Sequence, residues 1–139
     1  MRSWKFALLF TGMGLAFAAW SSAHGSRGAA VVELVVCVVL GLVFSPLAFP
    51  RSVTAAEASQ AGRPIVYWRP GCQFCLRLRV ALRGSAGQAS WVNIWTDPEA
   101  AAAVRAIADG NETVPTVVSG SEARVNPAPR WVREQLGRR

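Results

Sequence analysis

The feature that most restricts how this chain can fold is the uneven distribution of its charge. Residues 1–50 are mainly apolar, whereas most of the charged side chains follow Arg51. Long apolar runs are typical of membrane segments. Without these runs and the linker that follows them, about 75–80 residues remain, which is close to the lower limit for an independently folding domain. The sequence therefore predicts a membrane region, residues 1–50, followed by one small polar domain.

Two apolar runs, separated by the polar turn SSAHGSRG, make up the membrane region. We expect helices at about residues 4–20 and 29–49, and because about 20 apolar residues cross a bilayer, these runs predict a pair of transmembrane helices. A cleaved signal peptide is an alternative for the first run, with Ser21-x-Ala23 as the cleavage site. Under both interpretations the basic residues place the following domain in the cytoplasm, at the cell membrane.

After the membrane region and a short linker, segments with the sequence pattern of strands alternate with segments that have helical spacing. Residues 51–62 are small and polar, with no helical or strand period, and are interpreted as a linker. Residues 63–139 predict an α/β domain with the order β-α-β-α-β-β-α, which is the arrangement of a thioredoxin-like fold. The predicted strands begin at Pro64, Ser90, Thr116 and Ala123, and the predicted helices begin near Cys72, Pro98 and Pro129.

Cys72 and Cys75 form a C-x-x-C at the junction of the first predicted strand and helix. A disulfide between them would close a very short loop and constrain little chain entropy, so the pair indicates chemistry rather than structural support. A helix N-terminus and the nearby Arg69 both favour the reactive thiolate, while Gly71 keeps the preceding backbone non-helical and accessible. We expect Cys72 to be the nucleophile and Cys75 to resolve the mixed disulfide that it forms.

A second candidate element is Thr113-Val114-Pro115, which immediately precedes the third strand. Proline is the residue that makes a cis peptide bond accessible, and we expect one before Pro115. Such a bond would leave the N–H and C=O of Val114 free to pair with a thiol-bearing peptide beside Cys72.

Three motifs of the chain together resemble the mycoredoxins, glutaredoxin-like proteins that use mycothiol as their small thiol. The motifs are YWRPGCQFCLRLR, VNIWTDPEAAAAVRAIADGNETVPTVV and VNPAP, within residues 64–136. The resemblance implies a glutaredoxin fold and a thiol–disulfide oxidoreductase that reduces mixed disulfides between proteins and mycothiol. Mycothiol, or another small thiol, would be a co-substrate, with no tightly bound cofactor.

The resemblance also implies a groove for the small thiol. Phe74 occupies a position where the family commonly has tyrosine, so this groove would lack one hydroxyl group. The Gly-Gly-x-Asp signature that binds glutathione does not occur near residues 120–126, which disfavours glutathione. The remaining groove residues implied by the family are Thr113, Val114, Pro115, Asn126 and Pro127.

Several other functions are compatible with parts of the sequence. An iron–sulfur cluster carrier and a non-catalytic, membrane-tethered adaptor remain as alternatives to the enzyme. A structural zinc site needs four ligands, and outside the C-x-x-C only Cys37 and His24 offer cysteine or histidine, so we expect no metal site. The 15 basic residues outnumber 8 acidic ones, but they form no long run, so we expect no nucleic-acid partner. The oligomeric state is left open.

Overall fold

The structure is a computed structural model that describes residues 5–43 and 51–138. The two described ranges belong to two separate compact units. Residue 4 and residues 44–49, which the sequence assigned to the ends of the membrane helices, lie outside the described residues.

The first unit contains two helices, α1 (Lys5–Ala23) and α2 (Arg27–Val43), which pack against each other. Their backbones approach closely at Gly14, where an added Cβ would clash with the Cβ of Cys37. The hydroxyl of Ser21 donates a hydrogen bond of 2.8 Å to the carboxylate of Glu33, which joins the two helices. The glycine at position 14 therefore permits this contact, since any larger residue would push the helices apart.

Both predicted N-terminal segments are thus helical, but the prediction that they form a transmembrane pair is not supported. Among residues 5–43 and 51–138, no helix combines the length and the apolar character that crossing a bilayer requires.

The second unit has the predicted alternation of strands and helices, which confirms the element order. A 3₁₀ segment, Arg83–Gln88, follows the first helix of this order and ends at the next strand. The elements in chain order are β1 (Ile65–Trp68), α4 (Gln73–Leu82), β2 (Ser90–Asn93), α5 (Pro98–Ile107), β3 (Thr116–Ser119), β4 (Glu122–Val125) and α6 (Pro129–Gly137), preceded by a short helix α3 (Ala55–Gln60).

The four strands form one sheet in the order β2-β1-β3-β4. β1 is parallel to β2, with Trp68 opposite Asn93, and antiparallel to β3, with Tyr67 opposite Thr116. This mixed α/β arrangement with a four-stranded sheet is consistent with a thioredoxin-like fold. Because β1 and β2 end where β3 begins, the chain segments after β1, after β2 and before β3 all lie at one end of the sheet.

The core of this unit lies between the sheet and its helices. Helix α4 contributes Cys75, Leu78 and Leu82, which recur at helical spacing and are each at most 2% exposed. The largest buried side chain, Trp91 on β2, donates its Nε1–H to the carbonyl of Ala86 at 2.8 Å. Burying these groups holds the N-terminus of α4 in a fixed position at the end of β1.

The segment 51–62, which the sequence predicted to be a linker, is instead folded against the sheet. Ser52 and Val53 run along β2, the edge strand: the Ser52 hydroxyl accepts from the N–H of Asn93 at 2.9 Å and donates to the carbonyl of Trp91 at 3.1 Å. The N–H of Val53 donates to the same carbonyl at 3.0 Å. The segment therefore covers the hydrogen-bonding groups of an otherwise open edge.

Helix α3 within this segment begins with a capping box. The Thr54 side chain accepts from the N–H of Glu57 at 3.2 Å, and the Glu57 carboxylate accepts from the N–H of Thr54 at 2.8 Å. The N–H of Ala55 donates to the Asp97 carboxylate at 2.7 Å, and Ala58 is only 1% exposed. The signature Thr-x-x-Glu is a helix-start signal that the linker interpretation overlooked.

Candidate active site

Cys72 occupies the N-cap position of α4, at the end of the loop that leaves β1. Gly71 adopts a φ of +76°, in the left-handed region that other residues enter only at a cost, and the N–H of Cys72 donates to the carbonyl of Arg69 at 3.4 Å. The glycine thus lets the chain turn sharply, and the first free N–H groups of the helix face the Cys72 sulfur.

Two hydrogen bonds define the surroundings of the Cys72 Sγ atom. It accepts a hydrogen bond from the N–H of Cys75 at 3.2 Å and, as a thiol, donates one to the carbonyl of Val114 at 3.4 Å. Both cysteines are free thiols; Cys72 is half-buried and Cys75 is fully buried. One sulfur is therefore accessible to a partner while the other lies behind it in the first turn of the helix.

This environment lowers the pKa of Cys72 to about 6. The largest cause is a hydrogen bond from the Cys75 side chain; burial opposes it, and the backbone N–H groups of Cys75 and Phe74 and the charge of Arg69 add to the lowering. The same hydrogen bond is the largest cause that raises the pKa of Cys75, and burial is the second largest. At neutral pH the Cys72 thiolate therefore exceeds its thiol by about tenfold, while Cys75 keeps its proton.

The predicted cis peptide bond is present between Val114 and Pro115. It places the Val114 carbonyl against the Cys72 sulfur, and within residues 51–138 the N–H of Val114 has no hydrogen-bond partner. When Cys72 ionises it no longer donates to the Val114 carbonyl, so both polar groups of the Val114 backbone become available to a bound peptide. Thr113 is exposed, and its carbonyl accepts from the hydroxyl of Thr116 at 2.7 Å.

A cavity of about 230 Å³ lies between the start of α4 and the loop before α6. It brings together three of the predicted groove residues, Phe74, Asn126 and Pro127. Asn126 adopts a φ of +46°, and its N–H donates to the carbonyl of Pro115 at 2.7 Å, which connects this loop to the cis-proline segment. The other residues that line the cavity are Arg77, Leu78, Ala128 and Pro129.

Not every predicted groove residue lines this cavity. Arg69 and Gly71 precede Cys72 in its loop instead, and Thr113, Val114 and Pro115 are not among the lining residues. Arg77 was not among the predicted site residues, although it follows Phe74 by three positions and therefore lies on the same face of α4. Among the described residues no group of three or more histidine, cysteine, aspartate or glutamate side chains could hold a metal ion.

A pair of free cysteines at the start of a helix, next to a cis-proline at the end of a four-stranded mixed sheet, defines a thiol–disulfide site of the thioredoxin-like class. Residues 65–123 match the family model of glutaredoxin. The match includes both cysteines and the cis-proline segment, so residues 65–123 are similar to glutaredoxins, and this similarity supports thiol–disulfide oxidoreductase activity. No curated protein and no solved structure was found to match the chain.

Proposed function

We propose that this protein reduces mixed disulfides formed between proteins and a small thiol, with Cys72 as the nucleophile and Cys75 as the resolving thiol. One observation carries the proposal: the half-buried Cys72 sulfur has a pKa of about 6 and lies 3.4 Å from the Val114 carbonyl, beside a free backbone N–H. A sulfur that is ionised at neutral pH and adjacent to a peptide-binding edge is suited to attack a disulfide.

The first step is a thiol–disulfide exchange. The Cys72 thiolate attacks the small-thiol sulfur of the mixed disulfide, a new S–S bond forms between them, and the protein substrate leaves as a thiolate that takes a proton from water. The S–S bond of the substrate breaks as the new bond forms, so the Cys72 sulfur is oxidised, the substrate cysteine is reduced, and no external oxidant or reductant is needed. The Val114 N–H is positioned to pair with an amide of the small-thiol half of the substrate.

Two routes then release the small thiol from Cys72. In the monothiol route a second small-thiol molecule, as its thiolate, attacks the mixed disulfide, forms an oxidised dimer of the small thiol and regenerates the Cys72 thiolate. In the dithiol route Cys75 loses its proton, attacks Cys72 and expels the small thiol, and the resulting disulfide needs two electrons from a reducing thiol. Burial, the second largest cause of the raised pKa of Cys75, persists when Cys72 is in the mixed disulfide, so we propose that the monothiol route predominates.

We propose mycothiol as the small thiol. The motifs around Cys72, Val114 and Asn126 support this choice, and the cavity beside Cys72 offers the amide of Asn126 and the guanidinium of Arg77 to a hydroxyl-rich ligand. A coupled assay tests it: the full chain receives a peptide–mycothiol mixed disulfide, mycothiol, mycothiol disulfide reductase and NADPH.

In this assay Cys72→Ser abolishes NADPH consumption, because the attacking thiolate is gone. Cys75→Ser retains a substantial part of the turnover, because the monothiol route needs only Cys72. A matched assay with glutathione, its reductase and the glutathione mixed disulfide gives lower turnover. Full activity of Cys72→Ser would contradict the mechanism, and higher turnover with glutathione would contradict the choice of mycothiol.

We further propose that the N-terminal helices attach the protein to the cell membrane. The second unit, residues 51–138, which we call the redox domain, would then lie in the cytoplasm. The support is the outward-facing apolar surface of the N-terminal helices, which includes Leu8, Leu9, Trp20, Val31 and Val35, each more than half exposed. Such a surface is stabilised by contact with lipid. We expect the full chain to float with anionic vesicles on a sucrose gradient and residues 51–139 alone to remain in the soluble fraction; equal behaviour of the two would contradict this attachment. A reporter fused after Arg139 tests the cytoplasmic location.

A further inference from the structure

Trp95 differs from the other tryptophans of the redox domain by its exposure. Its residue surface is 54% exposed, whereas Trp68, Trp91 and Trp131 are 4%, 1% and 9% exposed. Neither the cavity beside Cys72 nor the thiolate environment uses its side chain. Covering an exposed indole with a partner is favourable, because it removes a large apolar surface from water.

The sheet register places Trp95 at the same end as the active site. β1 and β2 run in parallel with Trp68 opposite Asn93, and the N–H of Ile94 donates to the Trp68 carbonyl at 3.0 Å. From this matched pair, β1 continues into the loop that ends at Cys72, and β2 continues directly to Trp95. Trp95 therefore follows β2 at the same end of the sheet as the loop that leads to Cys72.

The backbone that carries Trp95 is held firmly. The N–H of Trp95 donates to the side-chain carbonyl of Asn93 at 3.0 Å, and Asn93 itself is only 9% exposed. Both the N–H and the hydroxyl of Thr96 donate to the Asn93 backbone carbonyl, at 3.2 and 3.3 Å. Because the turn is ordered before any partner arrives, docking on the indole loses little conformational entropy.

The cavity that we propose for the small thiol lies toward the β4 edge of the sheet. Its lining residues come from α4 and from the loop after β4, and the sheet order β2-β1-β3-β4 puts β4 and β2 at opposite edges. A mixed disulfide attacked by Cys72 has two halves, and if the small thiol fills the cavity, the polypeptide half extends toward the β2 side, where Trp95 is exposed.

We propose that Trp95 is the docking residue for the polypeptide half of the substrate, which distinguishes protein mixed disulfides from small ones. This inference rests on the function proposed above. The partner is a polypeptide with an apolar side chain near its cysteine and acidic residues close by, because Arg69, on the loop that leads to Cys72, forms no ion pair within residues 51–138. Exposed tryptophan and arginine side chains are the residue types that most often dominate docking energies.

The chemistry of the exchange is unchanged by this contact. The Cys72 thiolate bonds to the small-thiol sulfur, and the cysteine of the polypeptide leaves as a thiolate on the Trp95 side. Trp95 acts by holding the polypeptide during this step, so it is a positioning residue for one class of substrate and not for the reaction in general.

The test measures kcat/KM of the full chain with three mixed disulfides of the same small thiol. In the first, the small thiol is joined to free cysteine. In the second and third, it is joined to a peptide in which the cysteine is flanked by leucine and glutamate (the acidic peptide) or by leucine and lysine (the lysine peptide). For Trp95→Ala we expect kcat/KM on the acidic peptide to fall about tenfold, an effect typical of a docking tryptophan, and kcat/KM on free cysteine to change less than twofold. Trp95→Phe restores part of the loss, and Val80→Ala, at another exposed apolar residue (61% exposed), has no effect.

The activity on free cysteine reports in each variant that the domain is folded. An equal loss on all three substrates, or no loss on the acidic peptide, would overturn the docking role of Trp95. A wild-type preference for the lysine peptide would overturn the acidic character of the partner. Failure of the wild-type chain to turn over any of the three substrates would instead refute the proposed function itself.

Discussion

At the scale of single residues, the reactivity of Cys72 depends on a short network around one sulfur atom. The S–H of Cys75 makes the largest contribution to the lowered pKa of Cys72, ahead of the backbone N–H groups and the charge of Arg69. The helix N-terminus alone therefore does not account for the site; the second cysteine stabilises the thiolate before it takes any part in resolving a disulfide.

Replacing the second cysteine tests this division of roles. Cys75→Ala removes the side-chain donor but leaves the N–H at position 75, so we expect the pKa of Cys72 to rise from about 6 toward the ordinary value of a thiol. The measurement is the pH dependence of Cys72 alkylation by iodoacetamide in the variant. Arg69→Ala, a weaker contributor, serves as the comparison and raises the pKa less. A larger rise of the Cys72 pKa in Arg69→Ala than in Cys75→Ala would contradict this order of contributions.

The lowered pKa of Cys72 also connects pH to folding stability. A thiol whose pKa is depressed in the folded state binds protons more weakly there than in the unfolded chain, so its contribution to stability is lost as the pH falls through about 6. We expect the reduced protein to gain stability between pH 6 and pH 8 relative to Cys72→Ser, measured by urea unfolding of both proteins with a thiol reductant present. Parallel stability profiles of the two proteins would contradict the depressed pKa.

At the scale of secondary-structure elements, the segment before β1 belongs to the redox domain. Ser52, Val53 and Ala55 make hydrogen bonds to β2 and to Asp97, and Thr54 with Glu57 closes the capping box of α3. An edge strand without this cover would expose unpaired backbone groups. A redox domain that begins at residue 63 is therefore incomplete.

A pair of truncations tests the contribution of this segment. We expect residues 63–139 to unfold at a lower temperature than residues 51–139 and to aggregate more readily, because each uncovered backbone group of β2 loses a hydrogen bond worth about 1 kcal/mol. Circular dichroism on heating and light scattering measure the two effects. Ser52→Ala within residues 51–139 gives an intermediate result, and equal melting temperatures of the two truncations would show that the segment does not stabilise the sheet.

At the scale of the whole molecule, the elements with strong local signals were predicted well and the long-range contacts were not. Short β-branched and aromatic runs identified the four strands, and helical spacing and helix-start signals identified three helices of the redox domain. The cis bond before Pro115 followed from its sequence context. Residues 51–62 were misassigned because their contacts with Trp91, Asn93 and Asp97 span about 40 positions, which no local period reveals. The cavity around Phe74 and Arg77 likewise depends on a loop 50 residues away.

The division into two units has a consequence for activity. Every residue to which we assign a role in the exchange lies between Arg69 and Pro127, within the second unit. We expect residues 51–139 alone to reduce a soluble peptide mixed disulfide with a kcat/KM within about twofold of that of the full chain in detergent, since both retain the same thiolate. A tenfold loss on removal of residues 1–50 would mean that the N-terminal helices contribute to the site.

The ionisation and accessibility of the sulfur at position 72 are the foundation of the proposed chemistry. Mass spectrometry of the peptide that carries Cys72, after timed exposure of the folded reduced chain to iodoacetamide from pH 4 to pH 10, measures both. The proposed mechanism predicts rapid modification with a half-maximal rate near pH 6. A half-maximal rate near pH 8.5, or no modification until the chain is unfolded, would contradict it.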